Sequence, residues 1–332
     1  MRCLVLISAF IGGLLCTAVF AHGPEPVLKG SIPLPGVAGR IDHLAFDPHT
    51  KRLFVAALEN GSLEAIDVEK RERVKSVSGL KEPQGVVYVP TTKQVVVACG
   101  GDGILRAYDP LTLDEKQRLD LSEDADNVRL DSDSKTIVVG HGSGALAIVD
   151  AATFRRTGDI KLAHHPEAFT LEPRTPRVFT NTPGGTGSAE IAVADRTTLK
   201  VMATWVLKEA GRNFPMALDA AHKRLYVGCR KPSKLLVIDI ESGKVVASPE
   251  CVGDADEVFV DSKTGRVLVV GGEGAIDVFE TGDHQMYTKA GSVRTAPGAR
   301  TALLVPERRA IYVAIPKRSE QPAEIREYAL SD

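Results

Sequence analysis

Leu225-Tyr226-Val227-Gly228 is a short run of aliphatic and aromatic residues closed by a glycine, and the chain keeps returning to it. The phrase recurs as Leu53-Phe54-Val55-Ala56, Val95-Val96-Val97-Ala98, Ile137-Val138-Val139-Gly140, Val178-Phe179-Thr180-Asn181, Val267-Leu268-Val269-Val270 and Ile311-Tyr312-Val313-Ala314. In chain order, successive copies start 42, 42, 41, 47, 42 and 44 residues apart. Such residues favour a pleated, buried surface, and a period near 40 with four short strands per unit and no helical pattern is the signature of a β-propeller. The expected fold is therefore all-β, a seven-bladed propeller of four-stranded antiparallel blades forming one ring from a 332-residue chain.

The repeat places the propeller over residues 39–330, with blades near 39–82, 83–124, 125–165, 166–213, 214–253, 254–298 and 299–330. Blade 1 shows the order within a unit. Inner strand a covers Ile41 to Phe46, strand b Leu53 to Leu58, strand c Leu63 to Val68, and outer strand d the region around Val74 to Val77. Turn-forming or charged clusters separate them: Asp47-Pro48-His49-Thr50, Glu59-Asn60-Gly61 and Glu69-Lys70-Arg71-Glu72. Strand c ends in Asp67, Asp109, Asp150, Asp195 or Asp239 in five blades. A carboxylate there accepts bonds from backbone N–H groups of the next turn, so these aspartates are expected to be structural.

Blade 7 reaches strand c at Ile325 to Leu330 and then the sequence stops. The leftover segment 22–38, through Val27 to Leu34, is the expected donor of its outer strand, which covers an open edge. Pro33 suits a strand that needs ladder bonds on one side only.

Upstream, Arg2 precedes an uncharged stretch of 18 residues, Cys3 to Phe20, and Val19-Phe20-Ala21 is a small-residue cleavage pattern. Residues 1–21 read as a secretory signal peptide, which implies a periplasmic or secreted protein, while an uncleaved anchor is the rival reading. His22 would then be the new terminal residue, able to chelate copper through its amine and imidazole. Cleavage leaves Cys99, Cys229 and Cys251, an odd number that argues against a disulfide framework and for small buried strand residues. A net charge of −2 without a polybasic run gives no basis for a nucleic-acid or membrane-surface partner, and a monomer is expected.

The strand-b phrases, above all Val178-Phe179-Thr180-Asn181, Leu225-Tyr226-Val227-Gly228 and Ile311-Tyr312-Val313-Ala314, resemble the YVTN repeat of exported bacterial propellers of the YncE-like type. Val237-Ile238-Asp239-Ile240-Glu241-Ser242-Gly243-Lys244-Val245-Val246 is similar to the strand-c ending of the same family. The single Trp205 and the lack of a Gly-His to Trp-Asp signature set the chain apart from WD repeats. The resemblance implies a seven-bladed propeller in the periplasm or outside the cell, acting as a binding or scaffolding module. It supplies no catalytic residue, since propellers host unrelated functions.

Ligands of propellers tend to sit where strand a enters the central channel. Counting back from strand b puts Asp42, Gln84, Asp126, Glu167, Phe214, Asp256 and Arg300 at one level of the mouth, followed by His43, Gly85, Asn127, Ala168, Pro215, Glu257 and Thr301. Four carboxylates against one guanidinium predict a negative well that raises carboxyl pKa values or takes a divalent cation or cationic ligand. Asp42, Asp126, His141, His165 and Glu167 are the candidate metal ligands, although their spacing matches no compact ligand motif. The Thr182 to Ser188 loop is expected on the channel rim, together with Arg230-Lys231-Pro232 and Lys317 to Gln321.

The leading expectation is a non-enzymatic exported propeller holding a small ligand or protein partner on its channel face. A metal-dependent hydrolase of the lactonase-propeller type, using Asp42, Asn127, Glu167 and Asp256, is the first alternative. The second is a lyase or redox-associated propeller with His141 or His165 as general base.

Overall fold

A computed structural model describes residues 25–184, 189–281 and 286–331. The expected signal peptide and His22 lie outside the described residues, as do Gly185 to Ser188 of the rim loop. Seven four-stranded antiparallel sheets make the ring, and in six of them the four strands are consecutive in sequence. The seventh reads outward-in as Val27–Pro33, Glu324–Ala329, Ala310–Ile315 and Ala302–Val305. The amino-terminal strand thus closes the last blade, with Val27 opposite Ala329 and Pro33 opposite Glu324. Ile32 of that strand is fully buried beside Tyr312 and Ile325.

Strand b is apolar along its whole length because both its faces are covered. In blade 1 Leu53 to Ala57 are all buried, and Val95 to Cys99 are buried in blade 2. One face packs on each neighbouring blade: Ala45, Phe54 and Leu63 of blade 1 meet Val86, Val95 and Tyr108 of blade 2 in a single cluster. A strand buried on both faces needs a continuous apolar run, whereas strand d has one wet face and reads as mixed residues such as Glu72–Ser78. The free thiols Cys99, Cys229 and Cys251 are buried within this packing.

The strand-c aspartates cap their turns. Asp67 Oδ1 accepts from the N–H groups of Glu69 and Lys70 at 3.0 and 3.0 Å, and Asp109 Oδ1 from those of Leu111 and Thr112 at 2.9 and 2.9 Å. Asp195 and Asp239 do the same for Thr197, Thr198 and Ser242, and Asp150 for Thr153. Among the described residues no helix is long and apolar enough to cross a membrane.

Candidate functional site

At the channel end of strand a, two residues face a single residue of strand b. In blade 1 the Asp42 N–H donates to the Ala56 carbonyl at 2.7 Å, and the Ala56 N–H donates to His43 at 3.0 Å. Asp126 and Asn127 bracket Gly140 in the same way, as Glu167 and Ala168 bracket Asn181, all at 2.9 Å. In blades 2, 5 and 6 the register shifts between Pro83 and Val86, Asn213 and Met216, and Ala255 and Glu257. A β-bulge of this kind bends the strand and re-aims the extra side chain, here into the channel.

The result is one chamber of about 340 Å3 lined by all seven aligned residues, Asp42, Gln84, Asp126, Glu167, Phe214, Asp256 and Arg300. From the second level, His43, Asn127, Ala168 and Glu257 also line it. Gly85, Pro215 and Thr301 turn elsewhere. A Cβ on Gly85 would stand 2.3 Å from the Asp126 carbonyl, so that bulge packs directly on blade 3. Buried Thr301 donates its hydroxyl to the Ile41 carbonyl at 3.2 Å.

The expected negative well is corrected by three arginines that alignment on strand b does not capture. Arg40, Arg129 and Arg230 enter the same chamber, where they join Arg300. Arg230 donates to Asp256 at 2.5 Å and lies 4.0 Å over the Phe214 ring. Arg40 pairs with Asp42 at 3.1 Å, and Arg300 with Asp254 at 3.2 Å. The wall formed by blades 5, 6, 7 and 1 is therefore charge-compensated. Three atoms in the chamber lining are nevertheless buried without a hydrogen-bond partner, Arg40 Nε, Asn127 Oδ1 and Asp256 Oδ2.

Histidines supply further positive charge. Burial opposes protonation of His43, but the Asp42 and Glu257 carboxylates outweigh it and lift the imidazole to about 9. His43 Nδ1 is 2.8 Å from Glu257, a contact across the ring from blade 1 to blade 6. His165 rises to about 9 through its contact with Asp126 at 3.5 Å, and its Nδ1 is 2.6 Å from the Gly142 carbonyl. Burial pushes Glu167 up to about 7, with repulsion from Asp126 adding to it, and pushes Asp256 up to about 6.

His43, Arg129, Met216 and Glu257 form the chamber floor, because the same four side chains line a second cavity of about 410 Å3 further along the channel. That cavity is walled by Phe46, Tyr88, Leu130, Phe259 and Leu303. The channel is thus polar on one side of this belt and largely apolar on the other.

Of the candidate metal ligands, Asp42, Asp126, His165 and Glu167 come together, while His141 lies in a separate rim groove of about 240 Å3. His141 is 3.3 Å from Asp159, and burial lowers its pKa. Among the described residues no group of three or more His, Cys, Asp or Glu side chains is arranged to hold a metal ion. The Asp126 and Gly142 contacts of His165 favour its protonated form.

The missed arginines left partial signals. Arg40 lies two residues before Asp42 and Arg129 two after Asn127, the spacing that keeps side chains on one face of an extended strand. Arg230, expected on the rim, follows the strand-b phrase of blade 5 and turns inward.

No protein-family model matches the sequence, and no curated protein matches it either. Among solved structures the chain is similar to Kuenenia stuttgartiensis hydrazine synthase, with a TM-score of 0.74 and 15% identity over 91% of this chain and 96% of that one. At that identity the likeness speaks to the propeller fold alone.

Proposed function

We propose that the chain is a non-enzymatic binding propeller that holds a small polar ligand in the mouth chamber. The observation that carries this reading is the chamber itself: all seven blades direct the aligned strand-a residue into one space at the channel mouth, whose lining leaves buried polar atoms unpartnered. Unmet buried groups cost about 1–3 kcal/mol each, and a ligand or bound water that met them would recover much of that. The size falls at the lower end of small-molecule sites, roughly 300–1,000 Å3.

The YVTN-like phrases and the uncharged run from Cys3 to Phe20 support a YncE-like propeller exported to the periplasm or beyond. The protonated state of His165 favours recognition over proton abstraction.

The test is thermal-shift screening of the purified chain against sugars, nucleosides, dicarboxylates, polyamines, amino acids and divalent metals. One class is expected to raise Tm in the wild type and to lose that effect in Gln84→Trp, which fills the mouth. Stabilisation by no class, or a shift that survives Gln84→Trp, refutes the reading.

A further inference from the structure

Two opposite charges in the mouth chamber lack an ion-pair partner. Among the described residues no cation lies within ion-pair distance, 4.0 Å, of the Glu167 carboxylate, and its side chain forms no hydrogen bond. Arg129, at the floor, has no carboxylate within that distance; its guanidinium lies 5.8 Å over the Phe169 ring and donates a single hydrogen bond, to the carbonyl of Val128 at 2.9 Å. A guanidinium has five N–H donors, so most of its capacity is unused.

These two groups do not neutralise each other, although both line the same space. The charges that face Glu167 are Asp126, His165, Asp256, Arg230 and Arg40, and those that face Arg129 are Glu257, Asp126 and His43. Arg230 and His165 are engaged with Asp256 and Asp126. A third group marks the site independently: Asn127 is 5% exposed, and its Oδ1 lines the chamber without a hydrogen-bond partner.

An anion and a cation that lack ion-pair partners in one chamber are met together by a single molecule carrying both complementary charges. We infer that the mouth chamber takes a small zwitterion with a free amine and a free carboxylate, of the amino-acid or dipeptide class, its ammonium at Glu167 and its carboxylate at Arg129. This deepens the binding reading above and rests on it. The carboxylate accepts a two-pronged hydrogen-bonded pair from the guanidinium, the geometry arginine is suited to. The Asn127 carbonyl oxygen offers the ammonium a second acceptor.

Binding carries a proton signature. Glu167 is lifted to about 7 in the free protein, and an adjacent ammonium favours its ionised form, so ligand binding releases protons near neutral pH.

The experiment is isothermal titration of the full chain with L-Ala-L-Ala and a series of ω-amino acids from β-alanine to 6-aminohexanoate. N-acetyl-L-alanine serves as the anion-only probe and L-alaninamide as the cation-only probe. The best zwitterion is expected to bind about 10- to 100-fold more tightly than either half-charged probe, the range for one charged hydrogen-bonded contact. Repeating the titration in buffers of different ionisation enthalpy reads the proton release, expected in the wild type and lost in Glu167→Gln. Glu167→Gln should also erase the preference over N-acetyl-L-alanine, and Arg129→Gln the preference over L-alaninamide. Should Arg129→Gln fail to fold, Glu167→Gln and the proton count decide alone. A half-charged probe that binds as tightly as the zwitterion overturns the inference while leaving the chamber a binding site. So does a zwitterion preference unchanged in Glu167→Gln. Silence from all these probes, with a sugar or nucleoside positive in the wider screen, overturns it too and leaves the broader reading standing.

Discussion

Glu167→Gln is expected to make the unliganded protein more stable at pH 8 and to matter little near pH 4. The wild-type carboxyl is lifted from 4.5 to about 7 on folding, chiefly by burial. The folded chain therefore holds a proton that the unfolded chain has already released, and wild-type stability falls as pH rises from 4.5 through 7. Above that window the ionised side chain costs the folded state about 3 kcal/mol, at about 1.4 kcal/mol per tenfold change. A neutral amide of the same shape avoids the cost. With roughly 2 °C of Tm per kcal/mol for a chain of this size, the variant should melt about 4–8 °C higher at pH 8. Near pH 4 the gain should fall below about 1 kcal/mol, because both side chains are then neutral in both states. Differential scanning calorimetry at the two pH values measures this directly. A Glu167→Gln protein no more stable than wild type at pH 8, or equally favoured at both pH values, would refute the claim that this half-buried carboxylate has no ion-pair partner.

Other outcomes follow from the same packing. His43 and His165 should titrate near 9 by imidazole NMR, and their contribution to stability should be complete below 6.5 and fade as pH rises towards 9; midpoints between 6 and 7 would break the charge assignment of the chamber. Ile32→Ala should cost about 2–4 kcal/mol and speed hydrogen exchange across Glu324–Ala329, whereas unchanged exchange would mean the closing strand is not held by that side chain. Cys99, Cys229 and Cys251, pushed by burial to about 11, 12 and 12, should resist a disulfide reagent in the native protein and react once it unfolds; rapid native labelling would show them accessible.

The repeat was legible because strand b, covered on both faces, tolerates only apolar residues, so each copy had to look alike. The mouth level was legible for a second reason: Asp42 to Ala56, Asp126 to Gly140 and Glu167 to Asn181 share one interval of 14 residues, set by the bulge that holds them. What lay beyond the sequence was the electrostatic outcome. Whether Asp256 stands alone or beside Arg230 depends on how far a long side chain reaches from the next blade, and no spacing encodes that. Nor does anything local in the chain announce that His43 will meet Glu257, 214 residues away, or that this pair will floor the chamber.

The seam between Val27–Pro33 and Glu324–Ala329 joins the earliest described strand to the last one. A ribosome completes six blades while the first strand still waits for a neighbour that has not been made, and the cost of closing so long a loop falls due only at the end. The ring therefore depends on its own length: a chain interrupted before residue 324 lacks the strand that pairs with Val27–Pro33, and the blade 7 side of the Ile32 cluster is lost with it.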